Sequence, residues 1–268
     1  MSIDDRAPHS DRSLLQRREF LEAVGGAFAM GVLPGGTTRA SPRSRGIKAV
    51  AFDGFAIFDP TPVLALAELV VPGRGRELVV NWRSRQFEYQ WLRTLGGRYA
   101  DFRQTAGDAL TVSAKALGIP MSGDHRERLL SSYLTLVPWP DSAGAIRALR
   151  AAGLRLAFLS NMTERMLDDG ARRAGVRDAF EVILSTDRVR AAKPDARAYR
   201  MALDSLRLSR EEVAFVAFAG WDAAGADWFG YPTIWTNRLS APVEELGATS
   251  IVIARDLTDV VAFASRPA

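Results

Sequence analysis

Four places in this chain set a reactive side chain just beyond an apolar run. Gly46-Ile47-Lys48-Ala49-Val50-Ala51-Phe52 runs into Asp53 and Gly54, and Leu154 to Leu159 runs into Ser160-Asn161. Val182 to Ser185 leads to a loop carrying Lys193-Pro194, and Val213 to Ala217 is followed by Trp221-Asp222. Two carboxylates, a hydroxyl beside an amide, and a lysine are the parts of covalent catalysis with an aspartate nucleophile. Each residue alone has a plainer reading: Asp53 as a turn cap, Ser160-Asn161 as a helix cap, Lys193-Pro194 as a solvated loop. Their common position at the ends of such runs speaks against all the plain readings holding at once.

Composition removes the rival chemistries. There is no cysteine, so thiol nucleophiles, disulfides and Cys-ligated metals are out, and the two histidines, His9 and His125, do not make a triad or a multi-His metal site. Basic residues are almost all arginine, which makes the three lysines, Lys48, Lys115 and Lys193, individually informative. The net charge of +4 does not call for nucleic acid, because residues 1–45 alone hold seven arginines against five acids.

The elements that must position these residues follow from periodicity. Short apolar runs bounded by turn residues read as strands buried on both faces. After the Asp53 strand and a loop through Asp59-Pro60, residues 61–137 show no strand and read as helices over Pro62–Val70, Glu77–Leu95, Ala100–Leu117 and His125–Leu136. Alternation then begins: helix Asp141–Ala151, strand Leu154–Leu159, helix Met162–Ala174, strand Val182–Ser185, helix Ala196–Leu206, strand Val213–Ala217 and helix Ala223–Phe229. Short strands Thr233–Trp235 and Ile251–Ile253 and a helix Leu257–Ala264 close the chain. The expected fold is α/β: a doubly wound, Rossmann-like parallel sheet from residues 46–60 and 138–268, with a helical cap of residues 61–137 inserted after the first strand. In such sheets the carboxyl ends of the strands gather on one edge, so the four chemical positions would meet there. With 47% hydrophobic residues in 268, the chain can bury a large core plus such an insert.

Residues 1–45 read differently. Arg17-Arg18-Glu19-Phe20-Leu21 precedes an apolar stretch from Ala23 to Leu33, then Pro34-Gly35-Gly36 and the small-residue site Thr38-Arg39-Ala40. This resembles a twin-arginine signal peptide with cleavage near Ala40. Its apolar middle is shorter than the ~20 residues that span a bilayer. The expectation is an exported, periplasmic protein whose mature form is not membrane-bound.

Taken together, Ala51-Phe52-Asp53, Leu159-Ser160-Asn161, Lys193-Pro194-Asp195 with Tyr199, and Trp221-Asp222 resemble the four motifs of the haloacid dehalogenase superfamily. The string Asn81-Trp82-Arg83-Ser84-Arg85-Gln86-Phe87-Glu88-Tyr89-Gln90-Trp91-Leu92-Arg93, with Gly97-Arg98-Tyr99-Ala100-Asp101-Phe102, is similar to the cap of its type II (S)-2-haloacid dehalogenases. The resemblance covers roughly residues 46–265. It implies that Asp53 attacks the halogen-bearing carbon of a short (S)-2-haloacid, displaces halide with inversion, and forms an aspartyl ester that water cleaves to the 2-hydroxy acid. Lys193 would offset the crowded carboxylates, and Ser160 with the backbone amides after it would hold the substrate carboxylate. Arg83 and Asn161 would cradle the halide. Tyr199 would orient the Lys193 loop, and Phe87, Phe102 and Trp221 would wall the pocket. No cofactor or metal is implied, and the cap of this family also helps form a homodimer.

The residues also argue against the superfamily's phosphatases, which need a second aspartate two positions after the nucleophile as general acid. Position 55 is Phe, and halide leaves without protonation. Two stretches depart from the dehalogenase pattern. The segment Asp53-Gly54-Phe55-Ala56-Ile57-Phe58-Asp59 is one residue short and lacks a threonine, and Ala217 and Ala219 stand where the family has serine and asparagine near the hydrolytic water. Asp222, with Lys193, would then order that water. A protein of this fold that binds small carboxylates without turnover is the alternative reading, and a superfamily phosphatase a weaker one.

Overall fold

The computed structural model describes residues 46–265; the signal-peptide reading lies outside them. The first strand, β1 (Ala49–Phe52), is followed at once by a four-residue helix α1 (Gly54–Ile57) and a short strand β2 (Phe58–Asp59). Helices α2 (Pro62–Val70), α3 (Gly75–Leu95), α4 (Phe102–Ala116) and α5 (Gly123–Ser131) make up the insert, and β3 (Val137–Pro138) pairs antiparallel with β2 where the chain returns. The remainder alternates: α6 (Ser142–Ala151), β4 (Arg155–Ser160), α7 (Glu164–Arg173), β5 (Val182–Ser185), α8 (Ala196–Leu206), β6 (Val213–Ala217), α9 (Gly220–Phe229), β7 (Thr233–Thr236), β8 (Ile251–Ala254) and α10 (Leu257–Ala264).

The main sheet has six parallel strands in the order β5-β4-β1-β6-β7-β8. The chain leaves β1 on one side towards β4 and returns on the other to β6, so β1 lies at the point where strand order reverses, where open α/β sheets bind ligands. Alternate residues of β1 feed opposite faces: Val50 and Phe52 join one apolar cluster, Ala49 and Ala51 the other. The first cluster continues without a break into the insert through Leu78, Trp82, Phe102, Ala106 and Leu110. The insert is therefore seated on the sheet by shared burial, the dominant favourable term in folding.

Differences from the sequence reading are local. The stretch after Asp53 was expected to be a loop, but it folds into α1 and the β2–β3 ribbon. Two-residue strands carry no periodicity to detect. The insert's last helix ends at Ser131, and residues Ser132–Leu134 tighten into a 3₁₀ turn before β3. Helix α9 starts at Gly220, three residues earlier than expected, which places Trp221 and Asp222 in its first turn. None of the described helices is long and apolar enough to cross a membrane.

Candidate active site

Asp53 sits at the C-terminal end of β1 and caps α1, its Oδ2 accepting the Phe55 backbone N–H at 3.0 Å. The plain capping reading was thus correct but incomplete. The other oxygen, Oδ1, accepts from Ser160 Oγ and from Lys193 Nζ, each at 2.9 Å. Gly54 leaves room for the side chains that pack beside Asp53, since a Cβ there would stand 2.6 Å from Met162 Sδ and 2.9 Å from Leu167 Cδ2.

Lys193 is 1% exposed, so it is no solvated loop residue. Its ammonium also donates to Asp222 Oδ2 at 2.5 Å and lies 4.9 Å from the centre of the Phe215 ring. Burial by itself favours the neutral amine, but the charges of Asp222 and Asp53 outweigh it and hold its pKa above the ordinary lysine value. Asp222 is 2% exposed, and burial raises its carboxyl to about 6 despite the ammonium, with the Asp53 charge adding to the rise. Tyr199 donates to Asp222 Oδ1 at 2.8 Å. Burial, and then the Asp222 charge, push the phenol well above its usual value, so it acts as a neutral donor. Gly225 lets this happen, because a Cβ there would come within 2.6 Å of the Tyr199 hydroxyl.

The insert closes the site from above. Arg83, Phe87 and Gln90 project from one face of α3, at the i, i+4, i+7 spacing of a helix stripe. With Asp53, Phe55, Phe102, Ser160, Asn161, Met162, Lys193, Phe218, Ala219, Trp221 and Asp222 they enclose a cavity of about 20 Å³, room for one water by size. Arg83 is 4% exposed and makes no ion pair among the described residues. Its Nη1 donates to the Tyr133 hydroxyl at 3.1 Å, its Nε has no partner, and its guanidinium lies 4.9 Å from the Phe55 ring and 5.1 Å from that of Phe87. A buried cation balanced, among the described residues, only by ring faces and a phenol is able to bind an anion, because an unpaired buried charge is costly.

Of the expected site residues, Asp53, Lys193, Asp222, Ser160, Asn161, Arg83, Phe87, Phe102 and Trp221 all line this cavity. Tyr199 does not. It is fully buried behind Asp222 and orients that carboxylate, where it was expected to orient the Lys193 loop. Ser160 also differs from expectation: its single hydroxyl hydrogen is committed to Asp53, so it holds the nucleophile before it can hold a substrate carboxylate. Asn161 donates one amide hydrogen to Gln90 Oε1 at 3.2 Å and accepts the Lys193 backbone N–H at 2.9 Å, leaving its second amide hydrogen for a ligand. Gln90, Phe55, Phe218, Met162 and the Arg83 partner Tyr133 were not anticipated. Gln90 was findable, since it continues the stripe of Arg83 and Phe87. Phe218 and Tyr133 carry no local signal.

At the altered stretch before Asp222, Ala217 is buried in β6 and Ala219 meets the cavity. The Phe218 ring between them packs on Phe55 and Trp139, at 6.1 and 6.2 Å between centroids.

A parallel sheet with an aspartate at the end of its switch-point strand, a lysine–carboxylate cluster beside it and a helical insert above is what a hydrolase working through an aspartate nucleophile requires. The chain belongs to the haloacid dehalogenase-like hydrolases, whose family model matches residues 42–230. It is 41% identical over 204 residues to an (S)-2-haloacid dehalogenase of Pseudomonas sp. (strain YL), covering 76% of this chain and 88% of that protein. It is 39% identical over 204 residues to haloacetate dehalogenase H-2 of Moraxella sp. (strain B), covering 76% and 91%. Among solved structures, the L-2-haloacid dehalogenase RSc1362 superposes with a TM-score of 0.80 at 35% identity, covering 82% of this chain and 100% of that one.

Proposed function

We propose that this protein hydrolyses short (S)-2-haloalkanoic acids to 2-hydroxy acids through an ester on Asp53. The observation that carries the reading is the pairing, in one closed aromatic pocket, of a carboxylate held by Lys193 with the buried, unpaired guanidinium of Arg83. A carboxylate oxygen of Asp53 attacks C2 from the side opposite the halogen, and the carbon–halogen bond breaks as the carbon–oxygen bond forms. Halide departs towards Arg83 and the remaining amide hydrogen of Asn161, where positive charge already stands. The substrate carboxylate rests on the backbone amides that open the turn after Ser160. Water then adds to the ester carbonyl of Asp53. The oxygen that remains as carbonyl keeps its donors and is stabilised as negative charge grows on it. Asp222, held by Lys193 and Tyr199, takes a proton from that water and passes it to the 2-alkoxide as the adduct collapses and the ester C–O bond breaks, which releases the 2-hydroxy acid. The water's second proton is lost to solvent, and Asp53 is restored as a carboxylate.

Ala217 and Ala219 leave Asp222 to do this without the polar neighbours the resemblance led us to expect, so hydrolysis of the ester is the slower half of the cycle. The test is halide release from (S)-2-chloropropionate by the purified full chain beside Asp53→Asn. Release by the parent and none by the variant supports the reading; no release from any short haloacid sinks it. A mass increase on Asp53 with little turnover marks slow hydrolysis of the ester, whereas a ligand-dependent melting shift with neither mass increase nor halide release identifies the small-carboxylate binding alternative.

The same proposal places the protein outside the cytoplasm and as a homodimer. Export rests on the Arg17-Arg18 segment, and replacing both arginines by lysine in a reporter fusion is the check. Dimerisation rests on exposed Leu92 and Leu95 at the end of α3, the latter 85% exposed and lining one groove with exposed Trp228. Light scattering on the parent and on Leu92→Glu, Leu95→Glu decides it.

A further inference from the structure

Lys193 lies between β5 and α8, beyond a 3₁₀ turn over Thr186–Arg188, in a segment of residues 189–195 that has no ladder or helix to fix it. The backbone polar groups of Ala192 and Lys193 are nonetheless all bonded, as buried groups must be. Ala192 N–H donates to Thr94 Oγ1 at 3.0 Å, and Ala192 C=O accepts from Asp195 N–H at 3.1 Å. Lys193 N–H donates to Asn161 Oδ1 at 2.9 Å, and Lys193 C=O accepts from Trp91 Nε1 at 3.2 Å. Two of these four bonds end on α3 directly. A third reaches it through Asn161, whose amide is held by Gln90 of the same helix. Only the Ala192 carbonyl is satisfied within the segment itself.

A lysine side chain has four rotatable bonds and a compact charge, so where its ammonium sits depends on where its Cα is held. Here the ammonium must reach Asp53 and Asp222 at once, at 2.9 and 2.5 Å. We propose that Trp91 and Thr94 are positioning residues for Lys193, so that seating the helical insert on the sheet and assembling the lysine–carboxylate cluster are a single event. Arg83 stands eleven residues before Thr94 on α3, about 16 Å along a rigid helix at 1.5 Å per residue. The helix that meets the anion thus also carries the backbone contacts of the lysine, and an insert displaced from the sheet leaves Lys193 without its frame. This rests on the reading of Asp53, Lys193 and Asp222 as the reacting cluster.

Trp91 also stacks on Phe87 and meets Trp221 edge-on, at 6.0 and 5.5 Å between centroids, so the test must keep the ring. Trp91→Phe removes the N–H and keeps an aromatic side chain; Thr94→Val keeps the shape and removes the acceptor; Thr94→Ser restores it. In the full chain, amide exchange at Ala192 and Lys193 is expected to accelerate by about 10-fold or more in Trp91→Phe and Thr94→Val, with β1 amides unchanged. For halide release, kcat is expected to fall by about 10- to 100-fold with KM nearly constant, since about 1 Å of misplacement is enough for this, and Thr94→Ser is expected to recover it. Unchanged exchange at both amides overturns the proposal, as does faster exchange with a parental kcat. If the parent releases no halide, the functional reading fails, and the exchange result decides the positioning role alone.

Discussion

Lys193 Nζ donates to Asp222 Oδ2 at 2.5 Å, and both side chains are buried. The two residues are only 29 apart in sequence, but they reach each other from different layers, Lys193 from a loop after β5 and Asp222 from the first turn of α9. One ammonium thereby serves two carboxylates, one for attack and one for water, and the consequences can be measured.

Hydrolysis of the ester needs Asp222 in its basic form. Burial, with the Asp53 charge adding to it, raises its carboxyl to about 6. The ester carries no charge on Asp53, so the rate of 2-hydroxy acid formation should rise with pH along a limb that lies no higher than about 6 and level off above it. Quenched-flow mass spectrometry should find alkylated protein accumulating at pH 5 and clearing at pH 8. Asp222→Asn should still release a first equivalent of halide, with ester hydrolysis slowed by about 10²- to 10⁴-fold, the usual worth of a positioned base.

Tyr199 bears on the same group. Its hydrogen bond favours ionised Asp222, so Tyr199→Phe should move the acid limb of the pH profile upward while leaving the alkylation rate near that of the parent. A limb that stays in place removes Tyr199 from the mechanism.

Replacing Lys193 by Met leaves two buried carboxylates without a counter-charge. Breaking a buried pair in this way costs about 3–5 kcal/mol. The sign of its pH dependence follows from Asp222, whose folded-state pKa already lies above its ordinary value and rises further without the ammonium. The cost is therefore full at high pH and shrinks as pH falls through that raised pKa and the carboxylate takes a proton. Urea unfolding at pH 8 and pH 5 should show a smaller gap between parent and variant at pH 5, and halide release should be lost at both.

Arg83→Met should separate function from stability. The guanidinium has no carboxylate partner among the described residues and one orphan N–H, so an apolar side chain of similar length leaves stability unchanged or improved. In halide release, kcat/KM should fall by about 10²-fold or more as the charge under the leaving group is lost. A variant that unfolds more readily than the parent would show that Arg83 is held for structure.

How much of this was legible beforehand varies element by element. β5, β6, α2, α8 and α10 stand at the residues their periodicity marks, because strands buried on both faces and helices with one apolar face write that burial directly into the order of side chains. The position of Asp53 and Ser160 at strand ends was legible for the same reason, since each stands where an apolar run must stop because the sheet stops; Asp222 lies beyond the end of β6, in the first turn of α9. The α1 turn and the β2–β3 ribbon were not, since they are too short to show a period and exist because the insert's two ends must meet.

The sequence by itself determined which chemistry the chain carries: an aspartate where a strand ends, a lysine in a chain that has only three, a second carboxylate, and no thiol or histidine triad to compete with them. Only the tertiary structure decided what each group does to its neighbours. That Tyr199 serves Asp222, that Ser160 spends its hydroxyl on Asp53, and that Asn161 joins Gln90 to Lys193 across 71 and 32 residues depend on which side chains share a buried space. A buried hydrogen-bond donor takes whatever acceptor the packing leaves within about 3 Å, and that choice is made by the fold as a whole.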